Sequence, residues 1–324
     1  MSWQTLLLLV SLVVLTGGAE LLVRGALALG HRMGLSPLFL GVTVVGFGTS
    51  TPELCTSLLA GVDGLDDIAV GNVVGSNTFN VAIILGTTAV LRPIAVRVAA
   101  LRAELAMAIA AALVPFLALL SGCVMGRVHG VVLLCALVGY LRWSFVRNRV
   151  ASETPPSADD GVSPAKRNPV ARGILCVVAG LGLLVVGSHL LIESATRIAA
   201  QLGMSELAIG LTVVAAGTSA PELVTSLVAA RRGAVDLALG NVLGSNVFNS
   251  FGILGLTCVL QPQAVRHQVL ALDTPVMLLV SVALLPIAST GGRISRREGA
   301  TLLFGYTAYV GVLLFWAPTW FGGR

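Results

Sequence analysis

The chain has 324 residues, of which 56% are hydrophobic and only 11% are charged, and its mean hydropathy is +0.94. This composition excludes an ordinary soluble domain and indicates an integral membrane protein. The net charge of +5 does not predict nucleic-acid binding, because no basic patch with interleaved aromatic residues stands on a polar face. The five cysteines stand singly in apolar segments, which predicts neither disulfides nor soft-metal sites.

Ten segments are long and apolar enough to span a membrane, which takes about 20 residues. They cover 4–29, 37–60, 67–90, 98–120, 126–146, 171–200, 206–229, 236–260, 269–289 and 298–317. The polar stretch 147–170 separates the fifth segment from the sixth and is typical of a flexible cytoplasmic linker. The predicted fold is an all-α integral membrane protein with ten transmembrane helices, in five-helix halves at 1–146 and 171–324.

The two halves contain an internal repeat. Residues 41–86 align with 210–255 at a constant offset of 169, and 28 of the 46 positions are identical. Five predicted segments separate the starts of the two copies, so one copy is inverted relative to the other in the membrane. Inverted repeats are typical of secondary transporters, whose substrate site lies near the membrane midplane.

The basic residues predict the orientation of the chain. With the N-terminus outside, 16 of the 20 Lys and Arg residues fall on the inner side, as the positive-inside rule requires. The loop around Asp63 is acidic and would lie outside, whereas its counterpart with Arg231 and Arg232 would lie inside. We therefore expect both termini outside. The Arg-rich, Lys-poor usage and the compact length favour a multi-pass protein of a bacterial or archaeal plasma (inner) membrane.

Two glutamates, Glu53 and Glu222, occupy equivalent positions in the repeat, and neither has a basic partner in its own segment. A carboxylate inside a membrane is costly, which makes each a functional-site hypothesis. Pro52 and Pro221 remove a backbone N–H and crowd the carbonyl four residues earlier, so each helix should open just before its glutamate. The opened turns would offer carbonyl oxygens to a hard cation.

Further polar residues share helix faces with the glutamates. Spacing of three or four residues predicts these faces, and their members are Thr49, Ser50, Ser57, Asn72, Ser76 and Asn80, with Thr218, Ser219, Ser226, Asn241, Ser245 and Asn249 in the second copy. Oxygen donors without His or Cys favour Ca²⁺ or Na⁺ over soft metals. For any single Ser or Asn, a structural hydrogen bond is an equal alternative; Asn77 and Asn246 leave these faces and are interpreted as structural.

Several acidic residues lie nearer the ends of the segments. Asp67 and Asp236 are predicted to cap helix N-termini. Two interpretations are open for Glu20 and for Glu193 with His189. Either these residues take part in gating or proton transfer, or their side chains simply extend toward the membrane surface.

The paired motifs resemble the alpha-repeats of the calcium/cation antiporter superfamily, in particular sodium/calcium exchangers of the prokaryotic type. The motifs are Gly48-Thr49-Ser50-x-Pro52-Glu53 and Gly75-Ser76-Asn77-x-Phe79-Asn80, with their copies at 217–222 and 244–249. The resemblance implies alternating access at a central site, with the first and sixth helices sliding past the rest. It implies transport of Ca²⁺ and Na⁺ across a lipid bilayer, and we expect no organic cofactor and no nucleic-acid partner.

The resemblance also implies the ion ligands. Calcium would lie between Glu53 and Glu222, with the carbonyls of Thr49 and Thr218. Sodium would use Ser50, Ser76, Asn80, Thr218, Ser219, Ser245 and Asn249, with the carbonyls of Gly46 and Ala215. Potassium-dependent members often carry Asp where this chain has Asn249, so potassium coupling is disfavoured.

Three other functions remain as alternatives. An H⁺/Ca²⁺ exchanger is compatible with the same two glutamates. A passive cation channel would instead show a filter and symmetry between subunits. An enzyme would need a nucleophile with its base, a cluster of metal-binding histidines or a nucleotide loop, and the sequence contains none of these.

Overall fold

The computed structural model describes residues 3–151, 169–202, 213–289 and 291–315. The helices of the first half are α1 (Trp3–Met33), α2 (Pro37–Thr49), α3 (Thr51–Val62), α4 (Asp66–Leu91), α5 (Val98–Leu113, continued by a 3-10 stretch, Val114–Ser121) and α6 (Arg127–Ala151). Those of the second half are α7 (Pro169–Gln201), α8 (Ala215–Thr218), α9 (Ala220–Arg231), α10 (Val235–Leu260), α11 (Val269–Ser289) and α12 (Arg296–Phe315). By the repeat, α7 to α12 are the counterparts of α1 to α6, in the same order.

Seven of the described helices are long and apolar enough to cross a membrane, and α2 with α3 forms an eighth span that is bent by 47°. Of the two remaining predicted segments, 298–317 coincides with α12 as far as Phe315. The segment 206–229 contains α8 and most of α9, but its first residues, 206–212, lie outside the described residues.

The helices on either side of the expected linker 147–170 extend into it. The helix α6 continues to Ala151, and α7 begins at Pro169, where proline fits because the first turn of a helix needs no backbone N–H from it. The part between these helices, 152–168, lies outside the described residues.

Four two-residue strands join the halves: β1 (Ile94–Ala95), β2 (Val124–Met125), β3 (Gln263–Ala264) and β4 (Arg293–Ile294). The strand β1 pairs antiparallel with β4, and β2 pairs antiparallel with β3. Since β3 is the repeat counterpart of β1, and β4 that of β2, each small sheet takes one strand from each half.

Two ion pairs demonstrate that the halves are inverted. Asp67, at the start of α4, bonds to Arg266 after β3 at 2.6 Å, and Asp236, at the start of α10, bonds to Arg97 after β1 at 2.5 Å. The start of each central helix therefore lies beside the end of the other, so α4 and α10 run in opposite directions.

The predicted capping role of Asp67 and Asp236 is wrong. The N-cap residues of α4 and α10 are Leu65 and Ala234, and neither cap has a side-chain hydrogen bond. Each aspartate instead lies in the first helical turn, where an arginine of the opposite half is in reach.

The helices α1 and α7 pack against each other along a seam of glycines. A Cβ atom on Gly18 would lie 3.0 Å from the Gly180 carbonyl oxygen, and one on Gly25 would lie 2.8 Å from that of Gly173. Small residues of this kind let two membrane helices approach closely. In the centre of the molecule, α10 is buried at every position from 237 to 255, and together α4 and α10 support the candidate site.

Candidate cation site

The two predicted helix openings are present, and each lies at one serine. Ser50 separates α2 from α3 with φ −78° and ψ 11°, and Ser219 separates α8 from α9 with φ −87° and ψ 7°. These angles fall in the sparsely populated bridge region between helix and strand. Since Pro52 and Pro221 follow two residues later in each copy, the sequence explains both breaks.

The carbonyl groups that the prolines release are satisfied differently in the two copies. The Thr51 hydroxyl donates to the Gly48 carbonyl at 2.8 Å. The second copy has Ala220 in place of Thr51, and the Ser188 hydroxyl of α7 donates to the Gly217 carbonyl at 2.8 Å instead. The sequence motifs alone did not identify Ser188, because its partner lies on a different helix.

The two glutamates are buried, with 1% of Glu53 and none of Glu222 exposed. Each is bonded by the serine at the helix break of the opposite half: Ser219 Oγ donates to Glu53 Oε1 at 2.9 Å, and Ser50 Oγ donates to Glu222 Oε1 at 2.9 Å. This exchange brings both breaks and both carboxylates into one site. No Lys or Arg within the described ranges forms an ion pair with either glutamate.

Among the buried side-chain oxygens that have no hydrogen-bond partner within the described residues, four come from the glutamates and the nearby asparagines. They are Glu53 Oε2, Glu222 Oε2, Asn80 Oδ1 and Asn249 Oδ1, and they form two pairs related by the repeat. An unsatisfied buried acceptor costs about 1–3 kcal/mol, and more when it is charged. Oxygen ligands of this kind are those that hard cations bind. The residues therefore fit a cation, although no group of three or more His, Cys, Asp or Glu exists among the described residues.

Asn77 and Asn246 hold the side chains of Asn80 and Asn249 in place. Asn80 Nδ2 donates to Asn246 Oδ1 at 3.0 Å, and Asn249 Nδ2 donates to Asn77 Oδ1 at 3.1 Å. Asn77 and Asn246 each donate to the other's backbone carbonyl, at 3.3 and 3.2 Å. These bonds occupy the amide nitrogens of Asn80 and Asn249 and leave their oxygens unpaired, so Asn77 and Asn246 have the structural part expected of them.

Serines of the central helices reach the breaks directly. Ser76 Oγ lies 3.3 Å from Ser219 Oγ, and Ser245 Oγ donates to the Gly46 carbonyl at 3.2 Å. The structure thus links both serines to the region of the glutamates.

The two threonines differ. Thr49 Oγ1 lies 3.0 Å from the Val45 carbonyl and 3.1 Å from Asn241 Oδ1 in the other half. Thr218 Oγ1 donates to the Ala215 carbonyl, at 3.1 Å, one turn back on its own helix.

Asn72 and Asn241 have equivalent supporting roles. Each donates to the backbone carbonyl of the glutamate in its own half, at 3.2 Å, and to a serine one turn beyond, Ser57 or Ser226, at 2.9 Å. These bonds fix the start of α3 to α4 and the start of α9 to α10, which sets the position of each glutamate.

The repeat extends further than the sequence motifs suggested. The Tyr140 hydroxyl donates to the Glu104 carboxylate, and the Tyr309 hydroxyl donates to Asp273 Oδ1 at 2.8 Å. Both pairs are related by the same offset of 169, but the acidic residue differs between them. Applying the offset beyond residue 86 would have identified these pairs.

Known proteins resemble this chain over nearly its whole length. The family model described as "Sodium/calcium exchanger protein" matches residues 3–146 and 172–315. This chain belongs to that family. It is 33% identical over 346 residues to the sodium/calcium exchanger MaX1 of Methanosarcina acetivorans, covering 96% of this chain and 98% of MaX1. It is 33% identical over 321 residues to the inner membrane protein YrbG of Escherichia coli, covering 97% and 98% of the two chains.

The fold is also that of a solved exchanger. A structure of the sodium-calcium exchanger NCX_Mj, soaked with 2.5 mM Na⁺ and 0.1 mM Ca²⁺, matches with a TM-score of 0.82 and 28% identity, covering 97% of this chain and 99% of the other. The prediction of ten transmembrane helices in two inverted repeats is confirmed. The family members are transporters, so this chain is a multi-pass cation/calcium exchanger and not an enzyme.

Proposed function

We propose that this protein exchanges Na⁺ for Ca²⁺ by alternating access at a midplane site formed by Glu53 and Glu222. The observation that carries the proposal is the set of four unpaired, buried oxygens, two from carboxylates and two from amides. Two carboxylates supply a charge of −2, which balances one Ca²⁺ or two Na⁺. The names of MaX1 and NCX_Mj as sodium/calcium exchangers point to the same pair of ions.

The ligands follow from chemistry and from position in the repeat. In this proposal Ca²⁺ lies between Glu53 and Glu222, close to the carbonyls of Thr49 and Thr218. The remaining proposed Na⁺ ligands are Ser50, Ser219, Ser76, Ser245, Asn80, Asn249 and the carbonyls of Gly46 and Ala215. Serine hydroxyls that now donate to the carboxylates would turn their lone pairs toward a bound cation.

The halves 1–146 and 171–324 would be the two functional units, joined by 147–170 on the cytoplasmic side. Both termini would lie outside, in a plasma membrane. The distribution of basic residues supports this orientation, and the description of YrbG as an inner membrane protein supports the location.

Calcium flux in proteoliposomes tests the function. Vesicles loaded with Na⁺ and diluted into Na⁺-free medium should take up Ca²⁺, whereas vesicles carrying only a K⁺ gradient should not. The membrane potential is clamped with an ionophore, so that uptake reports coupling and not charge compensation. Glu53→Gln and Glu222→Gln each remove half of the site's charge and should reduce uptake to the level of empty vesicles.

A pH gradient provides the decisive comparison. If Ca²⁺ uptake is independent of the Na⁺ gradient and depends on the pH gradient, the proposal is wrong. The function is then H⁺/Ca²⁺ exchange through the same two glutamates. Normal uptake in either glutamine variant would refute the site itself. Far-ultraviolet circular dichroism and gel filtration of the variants serve as controls for folding.

A further inference from the structure

The repeat is symmetric in sequence, but the packing around it is asymmetric. Val228 and Leu237 of the second half are 8% and 0% exposed, whereas their counterparts Leu59 and Ile68 are 67% and 50% exposed. In the second half the helix α1 packs against α9, which carries Val228, and Leu237 belongs to the same buried cluster, which also contains Val23 and Ala26 of α1. In the first half α7 leaves the equivalent face open. The structure is thus one of two arrangements that the repeat permits.

A pair of charges joins α1 to the covered face. Glu20 of α1 accepts from Arg232, at the C-terminal end of α9, through both oxygens; the bond from Nε to Oε2 measures 3.0 Å. Arg24, one turn along α1, also donates to Glu20, at 2.9 Å. A bidentate contact between a guanidinium group and a carboxylate is directional as well as attractive. It holds α1 against α9 on this side of the molecule.

The positions equivalent to this pair, at an offset of 169, also hold one acidic and one basic residue, but with the acid and the base exchanged. Glu20 corresponds to His189 on α7, and Arg232 corresponds to Asp63 after α3. Within the described part of the chain no bond joins His189 and Asp63, and both side chains are exposed. An imidazole donates a ring N–H to a carboxylate whether or not it is charged, so the two residues are suited to each other once α7 approaches α3.

The glycines at the helix breaks indicate how far α1 and α7 would have to move. A Cβ on Gly48 would meet Leu181, and a Cβ on Gly217 would meet Ile192, both on α7. If α1 and α7 exchanged their positions according to the repeat, Val23 of α1 would contact Gly48 and Leu12 of α1 would contact Gly217. The helices α1 and α7 run antiparallel, because Gly18 and Gly25 lie against Gly180 and Gly173 respectively, and a Cβ on Gly180 would contact both Gly18 and Leu22. Leu181 is therefore level with about residue 19 of α1. Exchanging the contacts therefore shifts the pair by about one helical turn, roughly 5 Å.

We propose that Glu20–Arg232 and His189–Asp63 are alternate latches, which close opposite faces of the exchanger in its two states. This inference rests on the alternating access of the proposed function. In the described state the first latch closes the Arg232 face. In the other state α1 leaves α9, the first latch breaks, and α7 covers Leu59 and Ile68 while His189 bonds to Asp63.

Disulfide trapping tests the two latches. In a variant without its five native cysteines, Glu20→Cys/Arg232→Cys should cross-link on mild oxidation, and so should Asp63→Cys/His189→Cys. The mismatched pairs Glu20→Cys/Asp63→Cys and His189→Cys/Arg232→Cys are the controls and should not. Each matched cross-link should stop Ca²⁺ flux, and a reductant should restore it. Because cross-linking is read on a gel, it is independent of which ions are exchanged.

A second measurement separates a latch from mere proximity. Glu20→Gln, placed in the Asp63→Cys/His189→Cys background, releases the first latch and should speed cross-linking of the second pair roughly five-fold. The control is Glu193→Gln, which should leave the rate unchanged, because the ion pair of Glu193 among the described residues is with Arg197 on the same helix. If the second pair does not cross-link under any ion condition, or if Glu20→Gln has no more effect than Glu193→Gln, the proposal is wrong.

Discussion

Each glutamate of the candidate site has one bonded and one unbonded carboxylate oxygen, and the bonded one is held by the opposite half. The site therefore exists only when the two halves are together. The adjoining asparagines are neutral, so a third Na⁺ would leave the loaded site with one uncompensated positive charge. Carbonyl groups and helix ends directed at the site would have to offset that charge.

Asn249→Asp should raise the apparent affinity for Ca²⁺ by about 10-fold or more, because it adds a third carboxylate next to the cation. It should also lower the melting temperature of the ion-free protein, because the donor to Asn77 Oδ1 is lost and carboxylates then repel each other. Calcium titration of flux and of thermal stability measures both effects.

The matched control is Asn77→Asp, which adds the same charge at a position whose amide is used for structure. It should reduce stability without the gain in affinity. An equal gain in both variants would mean that the effect is general electrostatics and that Asn249 is not a ligand.

At the scale of elements, the glycine seam decides how closely α1 and α7 pack. The backbone N–H of Leu22 would lie 2.6 Å from a Cβ on Gly180, whereas a Cβ on Gly182 would meet nothing within 4 Å. Two glycines separated by one residue on the same helix therefore have different roles: one permits a helix contact, and the other faces open space.

Gly180→Ala should destabilise the protein by about 1–3 kcal/mol, because backbone atoms of α1 must move to make room. Gly182→Ala is the control and should be neutral or slightly stabilising, since alanine favours a helix over glycine. Thermal unfolding in detergent compares the two variants. A normal melting temperature for Gly180→Ala would contradict the close packing of α1 on α7.

On the scale of the whole molecule, the inversion is built from exchanged contacts. The strands β1 and β3 pair with β4 and β2, and Arg97 and Arg266 bond the aspartate that starts the central helix of the other half. Every such contact in one half has its counterpart at the opposite end of the molecule. These contacts connect the two halves at both ends of the molecule, and the helices α1 and α7 take no part in them.

Cysteine labelling tests the orientation of this arrangement. In the cysteine-free background, Asp63→Cys should react with an impermeant thiol reagent added outside intact cells, and Arg231→Cys should react only after the membrane is opened. Both positions are exposed in the structure. Labelling of both from the same side would contradict the inversion, and the reverse pattern would place both termini inside.

Much of the fold and part of the site could be predicted from the sequence. Burying an unpaired carboxylate is costly at any place in a membrane, so Glu53 and Glu222 stood out without coordinates. Pro52 and Pro221 specified the breaks, because a missing N–H acts locally. The offset of 169, with an odd number of spans between the copies, determined the inversion.

Only the tertiary structure decided which partners these groups take. Ser50 bonds to Glu222 and Ser219 bonds to Glu53 across more than 160 residues, and no local spacing contains that choice. Asp67 and Asp236 bond to arginines of the other half and do not cap their own helices, whose N-cap residues are Leu65 and Ala234. A sequence repeated in both halves is compatible with either half being the covered one. The burial of Val228 beside the exposure of Leu59 therefore depends on how α1 and α7 pack against the two halves, which the shared motifs do not specify.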